Sequence, residues 1–198
     1  MIELISISNE EPYSIFQLLL ENALKNDQDN ADAISISSYD SKKNEVQSRY
    51  VNLKYIKKNE WIFFSNYNSP KSESFMLHDQ IAALFYWNKT DTQIRIKAKI
   101  FKTSEELSNT YFKSRDKKKN ALSISSMQSR TVKSYEDVIK SYQSVLTSEK
   151  LDERPNYWGG FSFIPYSFEF WEGHSSRINK RVLYEFDGLM WKKFFLQP

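Results

Sequence analysis

The last quarter of the chain holds the densest group of residues that could bind a ligand. Trp158-Gly159-Gly160-Phe161 places two of the chain's four glycines side by side, next to a tryptophan. Two further segments follow, Phe168-Glu169-Phe170-Trp171-Glu172-Gly173 and Arg177-Ile178-Asn179-Lys180-Arg181. Guanidinium groups recognise phosphate through paired N–H donors, and tryptophan offers a flat apolar surface. A purely structural strand would need none of these residues, so the segment is a candidate functional site.

Two residues of complementary chemistry stand four positions apart in the middle of the chain. Tyr111 and Arg115 fall, with Leu107, at the spacing of one helix face, so a phenol and a guanidinium are expected side by side. Such a pair is suited to holding a phosphate, and Lys119 follows four residues later. A surface cation–π pair is the alternative interpretation of the same spacing.

A third group of cations lies in the segment Arg49-Tyr50-Val51-Asn52-Leu53-Lys54. In a regular strand Arg49 and Lys54 differ in parity and point to opposite faces. They could serve one ligand only through a bulge, or in a cleft that wraps around the strand end. The alternative is that both are surface cations on a half-exposed strand.

The scarce residue types exclude several classes of site. The chain has no cysteine, which excludes disulfides, thiolate nucleophiles and cysteine-held metal clusters. Two histidines are too few for a metal site rich in histidine ligands, and we predict no metal. Four glycines, at 159, 160, 173 and 188, cannot build a Gly-x-Gly-x-x-Gly loop or a Walker loop. Any phosphate must therefore be held by side chains and ordinary backbone amides.

Length and charge predict a single domain that spans residues 1–198. The net charge of +3 fits a small phosphorylated ligand. The run Lys117-Lys118-Lys119 could face nucleic acid, but a solvated loop is favoured, so neither nucleic acid nor a membrane is predicted as a partner. No apolar run approaches the roughly 18 residues of a membrane span, and the N-terminus lacks a secretory pattern. A cytoplasmic protein is the expectation.

The hydrophobic pattern of the first half predicts one long helix and five strands. Pro12 to Lys25 carries apolar residues at three- and four-residue spacings behind a proline in the first turn. A short helical turn is expected after Ser69-Pro70-Lys71. Ile81 to Trp87 is apolar on both faces, as in a central strand. The other predicted strands run from Ala33 to Ser38, Val46 to Ile56, Trp61 to Asn66 and Gln93 to Lys102.

The second half is predicted to contain two helices and the closing strands. Thr103 and Glu106 form a capping-box pattern for the first helix, and Ser134 caps the second, which carries an apolar stripe. A loop is expected from Glu149 to Tyr157. The closing strands are Gly160 to Ile164, Ser167 to Trp171, Val182 to Phe186 and Leu189 to Leu196. The fold class predicted is mainly β (α+β), a split antiparallel β-barrel with helices packed outside.

The motifs, in their order and spacing from about Ala33 to Pro198, resemble those of the pyridoxamine 5′-phosphate oxidase family. That family typically reads W-G-G, then E-F-W, then R-x-H-x-R near its C-terminus, after earlier R-x-V-x-L-K, S-R-K, Y-F-x-S-R and Q-S segments. The resemblance implies a split barrel that binds flavin mononucleotide (FMN). It also implies a homodimer with FMN at the subunit interface, residues 158–198 as a dimerisation and substrate region, and residues 1–30 as an N-terminal helical segment.

The resemblance assigns roles residue by residue. It implies cofactor contacts from Arg49, Val51, Asn52, Lys54, Phe64, Ser65, Lys71, Gln93, Gln128, Ser129, Trp171 and Arg181. It implies substrate contacts from Lys54, Tyr111, Arg115, Lys119, Arg177 and Asn179. Arg177 and Asn179 would frame the substrate ring near the reacting carbon. The implied reaction oxidises pyridoxine or pyridoxamine 5′-phosphate to pyridoxal 5′-phosphate with O2 and releases H2O2.

Four positions depart from the family pattern. Pro70 replaces an arginine, Lys119 a serine, Asn179 a histidine and Phe195 an arginine. An asparagine can donate a hydrogen bond but cannot titrate near neutral pH. Two other hypotheses therefore stay open. One is a related FMN-dependent oxidase with a different substrate, such as a phenazine precursor; the other is a non-catalytic protein that binds flavin or pyridoxal phosphate.

Overall fold

The computed structural model describes residues 1–147 and 150–198 of the chain. In these residues the elements follow one another in an order that starts and ends with strands. They are β1 (Glu3–Ile5), α1 (Glu11–Lys25), β2 (Ala33–Asp40), β3 (Glu45–Asn52), β4 (Tyr55–Lys57), β5 (Glu60–Asn66), α2 (Pro70–Leu77), β6 (Gln80–Trp87), β7 (Thr92–Lys102), α3 (Glu105–Ser114), α4 (Lys117–Ser125), α5 (Tyr135–Leu146), β8 (Trp158–Glu172), β9 (Lys180–Phe186) and β10 (Trp191–Leu196).

The strands form one mostly antiparallel sheet in the order β1-β4-β5-β8-β7-β6-β2-β3, with β9 and β10 attached to β8. Strand β1, which has no clear signal in the sequence, pairs in parallel with β4. Strand β8 pairs with β5 from Trp158 to Phe163, with β7 from Phe161 to Glu172 and with β9 from Ser167 to Glu172, and β9 in turn pairs with β10. The predicted α+β class with a large antiparallel sheet is confirmed.

The closing segment predicted as two strands, Gly160 to Ile164 and Ser167 to Trp171, is a single strand, so that prediction is wrong. Its ladder with β7 continues past the proline because Ala98 pairs with Pro165 while Lys97 pairs with Ser167. Tyr166 is therefore the extra residue of a bulge rather than the end of a strand. A continuous partner strand absorbs the irregularity that the sequence shows at this point.

Helix α1 lays its apolar face on the core, as predicted from Pro12 to Lys25. Phe16 is fully buried against Trp61, with ring centroids 4.4 Å apart, and also contacts Phe85 and Trp87. Tyr13, one turn earlier, meets Phe168 edge to face at 5.3 Å. Buried aromatic pairs of this kind add about 0.5–1.5 kcal/mol each beyond the area that they bury.

The strand predicted from Val46 to Ile56 is interrupted, which corrects that prediction. Strand β3 follows β2 to Asn52, and the next amide, Leu53 N, still donates to Asp32 O at 2.8 Å. Lys54 N then donates to Ile62 O, also at 2.8 Å, so the chain changes partners from β2 to β5 between these two residues. Lys54 therefore lies at the point where the strand breaks.

The helices of the second half depart from the sequence pattern in detail. Thr103 N still donates to Gly160 O, so the cap of α3 is Ser104, whose side chain accepts from Leu107 N. Asp116 accepts from Lys118 N and Lys119 N and starts α4, so the prediction of a lysine-rich loop is wrong. Ser134 caps α5 as predicted, and α5 packs against α4.

Two further boundaries concern the loop before β8 and the start of β10. The predicted loop from Glu149 to Tyr157 begins at a residue outside the described part of the chain, and residues 150–157 form turns and coil. Strand β10 starts at Trp191 rather than Leu189, because Asp187 accepts hydrogen bonds from Leu189 N and Met190 N in the preceding turn. Among the described residues, no helix is long and apolar enough to cross a membrane.

The outer face of the sheet carries apolar side chains that the rest of the chain does not cover. Alternate residues of β6 are buried, but Leu84 and Tyr86 are 36% and 55% exposed, so the prediction that both faces of this strand are covered is wrong for one chain. Tyr50 on β3, 74% exposed, lies on the same face because it and Leu84 both pair with Ser35. This surface is called the outer face below.

The glycine pair at the start of β8 has a structural reason. A Cβ on Gly159 would overlap the hydroxyl of Tyr67, and one on Gly160 would overlap Cγ2 of Thr103 and approach the Phe64 ring at 3.1 Å. Both glycines are thus required by the close approach of neighbouring side chains. Packing therefore explains the glycine pair, and the pair by itself does not indicate a ligand.

We expect Gly160→Ala to lower the free energy of unfolding by about 1–3 kcal/mol, the usual cost of overpacking a buried site. Urea denaturation measures the change. Thr103→Ser removes the clashing methyl group and should recover much of the loss when it is combined with Gly160→Ala. Equal costs of Gly160→Ala with threonine and with serine at position 103 would contradict the packing explanation.

Candidate functional site

A cavity of about 550 Å³ lies where β3 ends, between the strands β3 and β5 and the helices α2, α3 and α4. Its lining contains twelve of the seventeen residues to which the sequence resemblance gave a role. They are Arg49, Val51, Asn52, Lys54, Phe64, Ser65, Lys71, Tyr111, Arg115, Lys119, Gln128 and Ser129. Arg49 and Lys54 share this cavity because it wraps around the end of β3, which is one of the two arrangements considered from the sequence.

Two cations that line the cavity, Lys71 and Arg49, have no counter-ion among the described residues. Lys71 is 7% exposed, and its Nζ donates to Ser69 Oγ and to Gln128 Oε1, both at 3.1 Å. Arg49 donates to Ser38 Oγ at 2.9 Å and to Gln47 Oε1 at 3.2 Å. In residues 1–147 and 150–198 no carboxylate lies within 4.0 Å of either cation.

Burial without a counter-ion shifts the protonation of both groups. Burial, and to a smaller extent the positive charge of Arg49, lower the pKa of Lys71 from 10.5 to about 8. Burial also lowers the pKa of Arg49, which stays charged. Because buried charge is costly unless it is paired, these two residues are prepared for an anion that would stabilise their charged forms.

The cavity lining also contains an aromatic stack with a cation above it. Phe64 and Tyr111 stack with centroids 3.7 Å apart, and Phe64 lies nearly parallel to Trp158 at 5.6 Å. The Arg115 guanidinium lies 4.4 Å above the Trp158 ring and donates to Asn120 Oδ1 and Ser123 Oγ. Burial raises the pKa of Tyr111, so its phenol stays protonated and can donate a hydrogen bond.

The helix-face prediction for Tyr111 and Arg115 needs correction. Tyr111 is in α3, but Arg115 is the residue after its last turn and has extended backbone with ψ 155°. Its side chain reaches the cavity because α3 ends there and the chain turns into α4. The Tyr111 phenol and the Arg115 guanidinium both line the cavity, as the spacing indicated, but they do not share a helix face.

Lys54, unlike Lys71 and Arg49, has an acidic partner. Its Nζ donates to Asp32 Oδ2 at 3.0 Å. Burial raises the pKa of Asp32, but the hydrogen bond and the charge of Lys54 outweigh burial and hold it below its usual value. Sequence reasoning missed Asp32, which no motif marks, and it left Trp158 out of the site although the W-G-G motif contains it.

The remaining five predicted residues form a second cluster at the far end of β8. Gln93, Trp171 and Arg181 lie side by side in register across β7, β8 and β9. Arg177 and Asn179 belong to the turn before β9, where Asn179 Oδ1 accepts from His174 N at 3.1 Å. None of these five residues lines the cavity of its own chain.

The turn that carries Arg177 is held in an unusual conformation. Arg177 has φ +59°, a left-handed geometry that costs energy for a residue with a side chain. Its amide donates to His174 O at 2.8 Å, and His174 Nδ1 accepts from Ser176 N at 3.1 Å. These bonds and that of Asn179 fix a turn from which the Arg177 side chain projects into solvent.

The fold is that of the FMN-binding split-barrel proteins, as comparisons with known proteins show. The C-terminal segment, residues 158–198, matches the model described as "Pyridoxine 5′-phosphate oxidase C-terminal dimerisation region". The chain is 36% identical over 194 residues to the pyridoxine/pyridoxamine 5′-phosphate oxidase of Colwellia psychrerythraea, covering 96% of this chain and 88% of the relative. The corresponding protein of Cytophaga hutchinsonii is 34% identical, with 94% and 88% covered.

Solved structures agree with this result. PhzG from Burkholderia lata 383, crystallised with tetrahydrophenazine-1-carboxylic acid, superposes with a TM-score of 0.88 at 25% identity, covering 96% of this chain and 93% of that one. A pyridoxamine 5′-phosphate oxidase-related FMN-binding protein of Nostoc punctiforme superposes at 0.76 with 11% identity, over 92% of this chain and 97% of that one, and shows the fold. The chain belongs to the pyridoxine/pyridoxamine 5′-phosphate oxidase family.

The residues of the cavity fit FMN, the cofactor of this family. A phosphate monoester is a dianion near neutral pH and would supply the counter-charge that Lys71 and Arg49 lack. Ser65 and Gln128, which are hydrogen-bonded to each other at 3.2 Å, offer further polar groups beside Lys71. The aromatic stack supplies a flat apolar wall for a ring system.

We expect the affinity for FMN to fall as pH rises above about 8. Lys71 has a pKa near 8 in the free protein, and a bound dianion raises it, so binding above pH 8 must take up a proton. The dissociation constant, measured by flavin fluorescence, should rise by up to about tenfold per pH unit between pH 8 and 9. Lys71→Met should bind more weakly and lose this dependence; an unchanged pH dependence in Lys71→Met would contradict the assignment.

Proposed function

We propose that the protein is an FMN-dependent oxidase that converts pyridoxine or pyridoxamine 5′-phosphate to pyridoxal 5′-phosphate. The observation that carries this proposal is that the lining of one cavity contains two groups of cations with different surroundings. Arg49 and Lys71 form one group, and Arg115 and Lys119 belong to the other, with the aromatic stack beside them. A phosphorylated cofactor and a phosphorylated substrate together require two such groups.

In the proposed binding mode, Lys71 and Arg49 bind the FMN phosphate, and Ser65 and Gln128 add hydrogen bonds. Charge-assisted hydrogen bonds of this kind contribute about 1.5–3 kcal/mol each. Pro70, where the family has an arginine, starts α2 and offers no cation, so these two residues would carry the phosphate contact largely without further help. These residues would hold FMN, which would supply the redox chemistry as the acceptor of a hydride from the substrate's C4′ carbon.

In the same binding mode, Arg115 and Tyr111 hold the substrate phosphate, with Lys119 at the rim of the cavity. Trp158 supports the guanidinium from below, and Asn120 and Ser123 fix its orientation. Lys54 and Asp32 form a pair beside this group, so Lys54 would contribute a directed N–H donor more than net charge. Holding the phosphate fixes the position of the substrate ring relative to the flavin.

The overall reaction balances without any other cofactor. Oxidation of the alcohol removes a hydride from C4′ and a proton from its hydroxyl, and O2 takes up both to form H2O2. With the amine substrate the first product is an imine, which water hydrolyses to the aldehyde with release of ammonia. Arg177 and Asn179 are proposed to frame the substrate ring during this step, and both side chains can donate hydrogen bonds to it.

A homodimer would bring the two clusters together. Trp158 and Trp171 are separated by thirteen residues of β8, or roughly 40 Å of extended chain, which exceeds the span of one ligand. The residues Gln93, Trp171 and Arg181 would therefore serve the cavity of a second copy. The exposed apolar residues of the outer face, among them Tyr50, Leu84 and Tyr86, favour burial against such a partner.

Mixing two variants tests the shared site, at an FMN concentration too low to load either variant alone. Lys71→Met and Arg181→Met alter different clusters, so in a symmetric mixed dimer one site carries both changes and the other carries neither. A random mixture should recover about a quarter of the wild-type activity, since half of the dimers are mixed and each has one intact site. A chain with both substitutions, mixed with wild type, should show no mixed-dimer activity. Absence of recovery in the first mixture would contradict the shared site.

Steady-state oxidation tests the substrate. The FMN-loaded protein should form H2O2 with pyridoxine 5′-phosphate and pyridoxamine 5′-phosphate, and the unphosphorylated vitamers should react far more slowly because they lack the group that Arg115 holds. The similarity to PhzG favours one alternative, an oxidase for a phenazine precursor. Turnover of tetrahydrophenazine-1-carboxylic acid but not of the phosphorylated vitamers would support that alternative. FMN binding without turnover of either would indicate a non-catalytic flavin protein.

Asn179→His restores the family's residue, and we expect it to raise kcat/KM for pyridoxine 5′-phosphate. A histidine ring could still accept from His174 N while adding a group that can carry charge toward the substrate. His174→Asn, a change in the same turn outside the R-x-N-x-R motif, is the matched control and should not raise activity. An unchanged or lower kcat/KM in Asn179→His would indicate a pocket built for another substrate.

A further inference from the structure

A buried carboxylate on the outer face joins two arginines. Glu169, on β8, is 8% exposed. Its Oε1 accepts from Arg181 Nε at 2.9 Å and lies 2.8 Å from Arg181 Nη2, while its Oε2 lies 2.9 Å from Arg95 Nη1. Both carboxylate oxygens are thus engaged by guanidinium groups, Oε1 by Arg181 and Oε2 by Arg95.

The exposure of the two arginines shows which of them Glu169 holds more firmly. The Arg95 side chain is 55% exposed, so its bond to Glu169 is open to solvent and contributes little. The Arg181 side chain is 24% exposed and is held twice, by Glu169 and by the carbonyl oxygen of Gln197, to which its Nη1 donates at 2.9 Å. Arg181 is therefore the more firmly fixed of the two arginines.

Fixing Arg181 in this way leaves part of its guanidinium free. An arginine has five N–H donors, and the contacts with Glu169 and Gln197 engage three of them. The remaining two are available to a ligand that approaches the outer face beside Trp171, which pairs with Arg181 in the ladder. Without Glu169, a long flexible side chain would have to be ordered when the ligand binds.

We propose that Glu169 is a positioning residue that orients Arg181 toward the flavin. This inference rests on the proposed function, which places Arg181 in contact with FMN bound by a second copy of the chain. Glu169 itself does not touch the flavin and acts only through Arg181. Arg95 balances the second carboxylate oxygen, so the three side chains together present one net positive charge.

The test is a double-substitution cycle on FMN affinity, read from the quenching of flavin fluorescence in apoprotein refilled with FMN. Glu169→Gln keeps the shape of the side chain and removes its charge, and should weaken FMN binding by about tenfold, as expected for the loss of one charge-assisted contact. Arg181→Met should weaken binding at least as much. Adding Glu169→Gln to Arg181→Met should change the dissociation constant less than about twofold, because Glu169 then has nothing to position.

Arg95→Gln is the matched control, since it removes the other partner of Glu169 from an exposed position. It should leave the dissociation constant within about twofold of wild type. Glu169→Asp keeps the charge but shortens the side chain, and should give an intermediate loss. It replaces Glu169→Gln in the cycle if the latter chain fails to fold, as judged by thermal unfolding of the apoprotein.

The outcomes separate this inference from the proposed function. If Glu169→Gln weakens binding equally with arginine and with methionine at position 181, Glu169 does not act through Arg181 and the inference fails, while the flavin site stands. If Arg181→Met leaves FMN affinity unchanged, the assignment of Arg181 to the flavin fails, and the inference fails with it. If wild-type protein does not bind FMN, the proposed function itself fails.

Discussion

Strand β8 is the constraint on which both halves of the site depend. Its ladder with β7 runs without interruption past the bulge at Tyr166, and it places Trp158 at one end and Trp171 at the other. A rigid strand of this length cannot fold back to bring its own ends together around one ligand. The proposed shared site therefore requires two chains, which a twofold axis would relate.

Charge is distributed unevenly among the residues proposed to bind the cofactor and the substrate. Lys71 is buried and Arg49 is partly buried, and neither has an acidic partner among the described residues, which is unfavourable until an anion binds. Lys54 and Arg181, by contrast, are each paired with a carboxylate, Asp32 and Glu169 respectively. Unpaired cations bind by charge, whereas paired ones are held in place and offer directed donors.

Sequence reasoning predicted the fold class and most of the cavity lining because alternation and motif order are local signals. It placed α1 and most strand positions well, and twelve of the predicted site residues share one cavity. It failed where pairing decides the outcome. Neither the break after Asn52 nor the continuity of β8 through Pro165 is visible in the residues themselves, since each depends on the partner strand. Asp32 was missed because only the folded chain brings it to Lys54.

The change of partner strand at Leu53 and Lys54 has a consequence for sequence length. Successive amides there bond first to Asp32 and then to Ile62, so the chain has no slack between β3 and β4. Inserting or deleting one residue would rotate every following side chain to the opposite face of the sheet. Ile56 would leave the core and Lys54 would leave the cavity together. Natural variation in this segment should therefore take the form of substitutions, with insertions and deletions confined to the turns on either side.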